Sequence, residues 1–142
     1  MSESQAPKRV LILCTGNSAR SQMAEGLLRK IGGDAFEVFS AGVEPSYVRP
    51  LAIQAMSEVG IDISGHRSKS LDEFLGHEFD YLITVCDNAN LRCPLFPGTT
   101  RRIHWSIEDP ATAEGDEATQ LEMFRRVRNE LENRLREFRQ CA

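Results

Sequence analysis

The chain has no long apolar run. Nowhere in its 142 residues is there the stretch of about 18 apolar side chains that a membrane-spanning helix requires. Positive charge is not in excess either. Lys and Arg number 17 against 21 Asp and Glu, a net charge of −4, which excludes the basic stripe that neutralises nucleic-acid phosphates over a long footprint. The N-terminal stretch MSESQAPKR lacks the charged start and apolar run of an export signal. The expectation is a soluble, cytoplasmic, monomeric protein with neither nucleic acid nor membrane as partner. Internal repeats, low-complexity runs and linkers are also missing. What remains fits one compact domain over residues 8–142 behind a flexible tail at 1–7. The four cysteines, in a reducing compartment, are buried small hydrophobes or parts of a redox, metal or catalytic site.

Residues 10–13, Val-Leu-Ile-Leu, are apolar on both faces and read as a buried parallel strand. A turn-prone stretch follows, and Ser21 opens a helix with Met23, Ala24, Leu27 and Leu28 along one side. Gly32 and Gly33 stop it. A strand at 36–40, a helix at 51–59 closed by Gly60, and strands at 81–85 and 101–105 continue the alternation. The last segment spaces Leu121, Phe124, Val127, Leu131, Leu135 and Phe138 by threes and fours, one face of a helix packed on a sheet. The predicted fold is α/β: a single-domain three-layer sandwich, with a four-stranded parallel sheet and helices on both faces. Ligands of such sheets bind beyond the carboxyl ends of the strands, where Cys14, Cys86 and Asp109 all map.

Cys14 is followed by Thr15, Gly16, Asn17, Ser18 and Ala19, and then by Arg20. Small and polar residues at this spacing form a turn whose backbone N–H groups converge on one point, a nest for an anion. The helix start, and the planar fork of Arg20, favour both an oxyanion and a thiolate at Cys14. Gly16 is expected to supply a positive φ, Asn17 to tolerate left-handed geometry and brace the loop, and Ser21 to donate a hydrogen bond to the sulfur. A lone strand-terminal cysteine is more often a core residue; the loop and Arg20 in register reverse that reading. The Gly-Lys-Ser/Thr of a nucleotide loop is absent.

Residues 14–21, with Asp109-Pro110 downstream, resemble the low-molecular-weight protein tyrosine phosphatase superfamily. The stretch 21–26, Ser40-Ala41-Gly42, residues 60–66 and His104-Trp105 look like its thioredoxin-coupled arsenate reductases, over nearly the whole domain. Cys86 and Cys93 separate the two branches. The resemblance implies that Cys14 attacks arsenate, with Asp109 as general acid, and that Cys86 and Cys93 complete a disulfide relay reduced by thioredoxin. Two electrons are needed to take As(V) to As(III), and a dithiol supplies them. Phosphate and sulfate would compete as anions. The polar residues between Cys86 and Cys93 suit a segment able to unwind. The alternative is a phosphatase using Cys14, Arg20 and Asp109 alone, although residues 111–115 carry no aromatic to stack on a phosphotyrosine ring.

Cys86, Cys93 and His104 as zinc ligands are disfavoured, since structural zinc takes pairs separated by two to four residues. No metal and no tightly bound cofactor is expected. Some relatives hold a monovalent cation near the loop, and the positions resembling its ligands are Asn17, Glu25 and Ser40, with Lys69 where a further acid would fall. The ammonium of Lys69 is expected in the cation's place. His66, His104, Trp105 and Cys141 receive no catalytic role.

Overall fold

The structure, a computed structural model, describes residues 6–92 and 101–142. Four strands, β1 (Lys8–Cys14), β2 (Phe36–Gly42), β3 (Tyr81–Thr84) and β4 (Arg101–His104), alternate with helices α1 (Arg20–Gly32), α2 (Pro50–Ser57), α3 (Asp87–Arg92) and α4 (Glu117–Cys141). All pairings are parallel and the strand order is β2-β1-β3-β4. The chain steps one way from β1 to β2 and the other way to β3 and β4. Right-handed crossovers therefore send the connections to opposite faces of the sheet. The reversal beside β1 opens a crevice at its carboxyl end, and Cys14 is its last residue.

The register shows which side chains share a face. Val10 pairs with Val38 and with Tyr81, on the side where Phe36 and Tyr81 meet Phe138 of α4, with ring centroids 5.4 and 4.9 Å apart. The helix α1 packs on α4, and α2 packs on both. Leu11, Phe39 and Leu82 point the other way, where Phe39 meets Phe74 and Phe79. A 3-10 turn at Leu71–Phe74 covers that face, and α3 lies at its upper end. The sheet is thus covered on both sides, which is why β1 from Val10 onward is apolar without alternation.

Element boundaries moved for local reasons. Pro50 starts α2, its fixed φ suiting the first helical position. The Asp116 carboxylate accepts from Thr119 N and caps α4, which begins at Glu117, four residues earlier than Leu121. After Cys86 the chain forms the short helix α3, Asp87–Arg92. Its polar side chains find partners on neighbouring elements, described below. Arg128, nearly buried on α4, donates to Ala55 O and to Glu58, closing the end of α2 against α4. Glu58 also receives Arg125, and these guanidinium hydrogen bonds hold its carboxyl down at about 2.

Candidate active site

The loop from Cys14 to Ala19 is anchored by its carbonyls. Cys14 O accepts from Val43 N, Thr15 O from Glu44 N at 2.8 Å, and Ser18 O from Arg49 N at 2.9 Å. Gly16 O accepts from both Ser46 N and Ser68 Oγ, and Asn17 O from Gln22 Nε2. In a trans peptide the N–H points opposite to the C=O. Five carbonyls turned outward therefore turn the N–H groups of residues 15–19 inward, and the Asn17 N–H already reaches Cys14 Sγ at 3.1 Å. The turn thus has the form of a backbone nest, built by contacts with residues 43–49 and 67–69 that local spacing could not reveal.

Asn17 is the strained residue of the loop. It has φ 48° and is wholly buried, so the left-handed geometry that Asn17 was expected to tolerate is found there, whereas the positive φ expected at Gly16 is not. The difference has a physical cause. Asn17 is held there by its side chain: Nδ2 donates to Ser21 Oγ at 2.7 Å and to Ser40 Oγ at 3.0 Å, while Oδ1 accepts from Lys69 N and Gln22 Nε2. These bonds offset the cost of a non-glycine left-handed residue. A Cβ on Gly16 would lie 3.2 Å from Ser46 Oγ and 3.4 Å from Ser18 Oγ, a tight fit against two side-chain hydroxyls.

The proton directions follow from the donors available. Asn17 uses one amide hydrogen on Ser21 and one on Ser40, so Ser40 donates its own hydrogen to the Glu25 carboxylate. The Ser21 hydroxyl, already accepting, donates to Cys14 Sγ at 2.8 Å. Two donors, Ser21 Oγ and Asn17 N, thus converge on one sulfur. Gln22 Oε1 can only accept, so the His66 ring bonded to it at 2.9 Å carries its hydrogen on Nδ1. Burial lowers the His66 pKa, keeping the ring neutral.

Across the mouth, the half-exposed carboxylate of Asp109 accepts from Ala111 N and lies 3.6 Å from Arg20. The Arg20 guanidinium also donates to Ile107 O at 3.0 Å, a contact that aims it from the first residue of α1 over the loop. Cys86, two residues beyond the end of β3, is buried, and its Sγ lies 3.1 Å from Thr15 Oγ1, next door to Cys14 in sequence. Thr15 Oγ1 also receives Asn88 Nδ2. Beside Asp109, a cavity of about 360 Å³ is lined by Tyr47, Arg49, Pro110 and Phe124. The expected site residues Cys14, Arg20, Ser21, Cys86 and Asp109 therefore share one end of the sheet, and Cys93 lies outside the described residues.

With this geometry in view, comparison with known proteins decides the family. The family model described as low molecular weight phosphotyrosine protein phosphatase matches residues 9–141. The chain belongs to that family. Within it, the chain is similar to an arsenate reductase of Bacillus subtilis, 46% identical over 131 residues that cover 92% of this chain and 94% of the other. It is likewise similar to the solved structure of an arsenate reductase in the phosphate binding state, with TM-score 0.78, 36% identity, and coverage of 93% and 96% of the two chains. A Corynebacterium glutamicum thioredoxin-dependent arsenate reductase superposes with TM-score 0.73 at 30% identity, covering 96% of this chain and 62% of that one.

The phosphatase-family loop in this chain rests on residues that sequence reading passed over. Gly42 is the clearest: a Cβ on it would stand 2.7 Å from Thr15 O and 2.8 Å from Asn17 N, so the loop backbone sits directly on this glycine. Gln22 braces Asn17 and is itself held by His66, in keeping with a supporting, non-catalytic role for that histidine. The one available signal was the motif Ser40-Ala41-Gly42, which pairs with β1 through Cys14 and Gly42.

Proposed function

We propose that the protein is an arsenate reductase that turns over through the three cysteines Cys14, Cys86 and Cys93, with a thioredoxin-type dithiol as electron donor. The observation that carries this reading is the second thiol. A phosphatase cycle needs Cys14, Arg20 and Asp109, and gives no work to a buried Cys86 held one residue away from the nucleophile by Thr15. The Bacillus subtilis arsenate reductase and the thioredoxin-dependent relative support the substrate and the donor.

In the proposed cycle, arsenate enters the nest of N–H groups with two oxygens on the Arg20 fork. The Cys14 thiolate forms a bond to arsenic, and one oxygen leaves as water with a proton from Asp109. Asp109, beside Arg20 at the mouth of the loop, is the group placed to deliver that proton. The Cys86 thiolate then attacks the sulfur of Cys14. The S–As bond breaks with its electron pair going to arsenic, so As(V) becomes As(III) and Cys14–Cys86 becomes a disulfide. Cys93 attacks Cys86 next, releasing the Cys14 thiolate and leaving a Cys86–Cys93 disulfide for the donor. Phosphate, alike in shape and charge, competes for the same nest.

The cation position reads differently from the anion loop. Both Glu25 oxygens are taken, one by Ser40 and by Lys69 Nζ at 3.8 Å, the other by Arg29 at 2.7 Å. Asn17 Oδ1 already accepts twice. The oxygens that a resident monovalent cation would need are saturated, so the set does not fit one, and Lys69 supplies the positive charge. Burial lowers the Lys69 pKa, while Glu25 pulls it back up. Potassium added up to about 0.1 M at constant ionic strength should leave turnover unchanged within about twofold; a strong activation would contradict this part.

The test of the whole reading is arsenate-dependent NADPH oxidation with thioredoxin and thioredoxin reductase. Turnover by the intact protein, lost in Cys86→Ser and in Cys93→Ser, is the expected result. No arsenate turnover, with aryl phosphate hydrolysis that survives both substitutions, would favour the phosphatase.

A further inference from the structure

Thr84 is wholly buried in the central strand β3, yet it is polar, and nothing in the chemistry at Cys14 uses it. Its hydroxyl lies 2.8 Å from His104 Nδ1, and the opposite ring nitrogen, His104 Nε2, lies 2.8 Å from Asp87 Oδ1. The directions are set by the acceptor at the far end. A carboxylate accepts only, so Nε2 carries the hydrogen, and in the neutral ring Nδ1 accepts from Thr84 O–H. The imidazole of β4 is thus oriented by a buried hydroxyl on one side and grips a carboxylate on the other. The His104 hydrogen bond, with one from Ser106, holds the Asp87 carboxyl below the ordinary aspartate range, which keeps it an acceptor.

Asp87 is the first residue of α3 and follows Cys86 directly. The thiol itself has only weak restraints, Thr15 Oγ1 at 3.1 Å and Ala89 N at 3.4 Å. From the sheet, three contacts reach the first turns of α3: the Thr84–His104–Asp87 chain, the Thr84 hydroxyl, which also lies 3.3 Å from Asn90 Oδ1, and Arg102, which donates to Asn90 O. We propose that His104 is a positioning residue, which with Thr84 latches the start of α3 to the sheet and so holds the Cys86 thiol in its buried place until the relay calls on it. The use of that thiol rests on the relay proposed above; the latch itself does not.

The experiment follows the alkylation of Cys86 by iodoacetamide in the intact reduced protein, with peptide-resolved mass spectrometry reading Cys14 as an internal reference. Losing one charge-assisted hydrogen bond shifts a local opening equilibrium about tenfold or more. His104→Ala and Asp87→Ala should therefore each raise the Cys86 rate about tenfold with Cys14 changed by less than about twofold. Thr84→Val, isosteric but without the donor, should move it in the same direction. His104→Gln keeps a donor at the Nε2 position and should restore slow labelling, whereas His104→Asn places its amide at the Nδ1 position and should not. Unchanged Cys86 labelling in His104→Ala and Asp87→Ala would overturn the proposal, as would Cys14 and Cys86 rising together, the sign of general loosening. If Cys86 labelling rises and Cys86→Ser still reduces arsenate at the intact rate, the latch stands and the relay falls.

Discussion

Replacing Gly42 by Ala tests whether the backbone of the anion loop is seated where the structure places it. The added Cβ would meet Thr15 O at 2.7 Å, Asn17 N at 2.8 Å and Asn17 Cβ at 3.0 Å. Two of the three are main-chain atoms, so no side chain can swing away. The loop must lift by several tenths of an ångström, and overpacking of this kind costs about 1–3 kcal/mol of stability. The chemical cost should be larger. Asn17 N is one of the two donors on Cys14 Sγ, and a misplacement approaching 1 Å at a reacting centre costs about 100-fold in rate. Gly26→Ala provides the control, because its Cβ would press only on the Ile63, Met56 and Ile61 side chains, at 3.0 to 3.2 Å. Denaturant unfolding and initial-rate kinetics on both variants decide the matter. We expect similar losses of stability, with kcat/KM down about 100-fold for Gly42→Ala and less than about threefold for Gly26→Ala. Full activity in Gly42→Ala would refute the loop geometry.

Other consequences are more local. Ser21→Ala removes the hydroxyl donor on Cys14 Sγ and should lower kcat/KM about 10- to 100-fold, the worth of a hydrogen bond to a charged atom, with a thermal midpoint close to the parent. Leu135→Ala opens a hole in the fully buried face of α4 and should cost about 2–5 kcal/mol by denaturant titration while leaving KM for arsenate unchanged. Glu58, whose carboxyl is held down at about 2 in the folded state against 4.5 ordinarily, contributes stability that is complete above pH 4.5 and lost as pH falls toward 2. Glu58→Gln should therefore flatten the stability curve across that window, and an unchanged acid profile would argue against its ties to Arg125 and Arg128.

The sequence was most readable where chemistry and local pattern coincide. Val10 to Leu13 announced a buried parallel strand because both of its faces are covered. The spacing from Cys14 to Arg20 announced a tight turn between the end of β1 and the start of α1, because small and polar residues at that spacing suit one. Contacts made at long separation were not readable. Nothing near residue 16 in the chain indicates that Ser46 and Ser68 fasten its carbonyl, nor that Gly42 is the floor of the loop. Gly16 and Asn17 were both readable as hosts of a positive φ, and only the four-way bonding of the Asn17 side chain decides between them. The helix α3 was concealed by its polarity, since its side chains bond to Thr15, His104 and Thr84 rather than packing in the core.

The relay is the central claim, and a single turnover tests it directly. The fully reduced protein is mixed with one equivalent of arsenate in the absence of any external thiol, quenched with acid and alkylating agent, and its disulfides are mapped by mass spectrometry. The account predicts one equivalent of arsenite together with a Cys86–Cys93 disulfide, and a Cys14–Cys86 disulfide that accumulates when Cys93 is replaced by Ser. Three free thiols at Cys14, Cys86 and Cys93, with arsenate recovered unchanged, would contradict it.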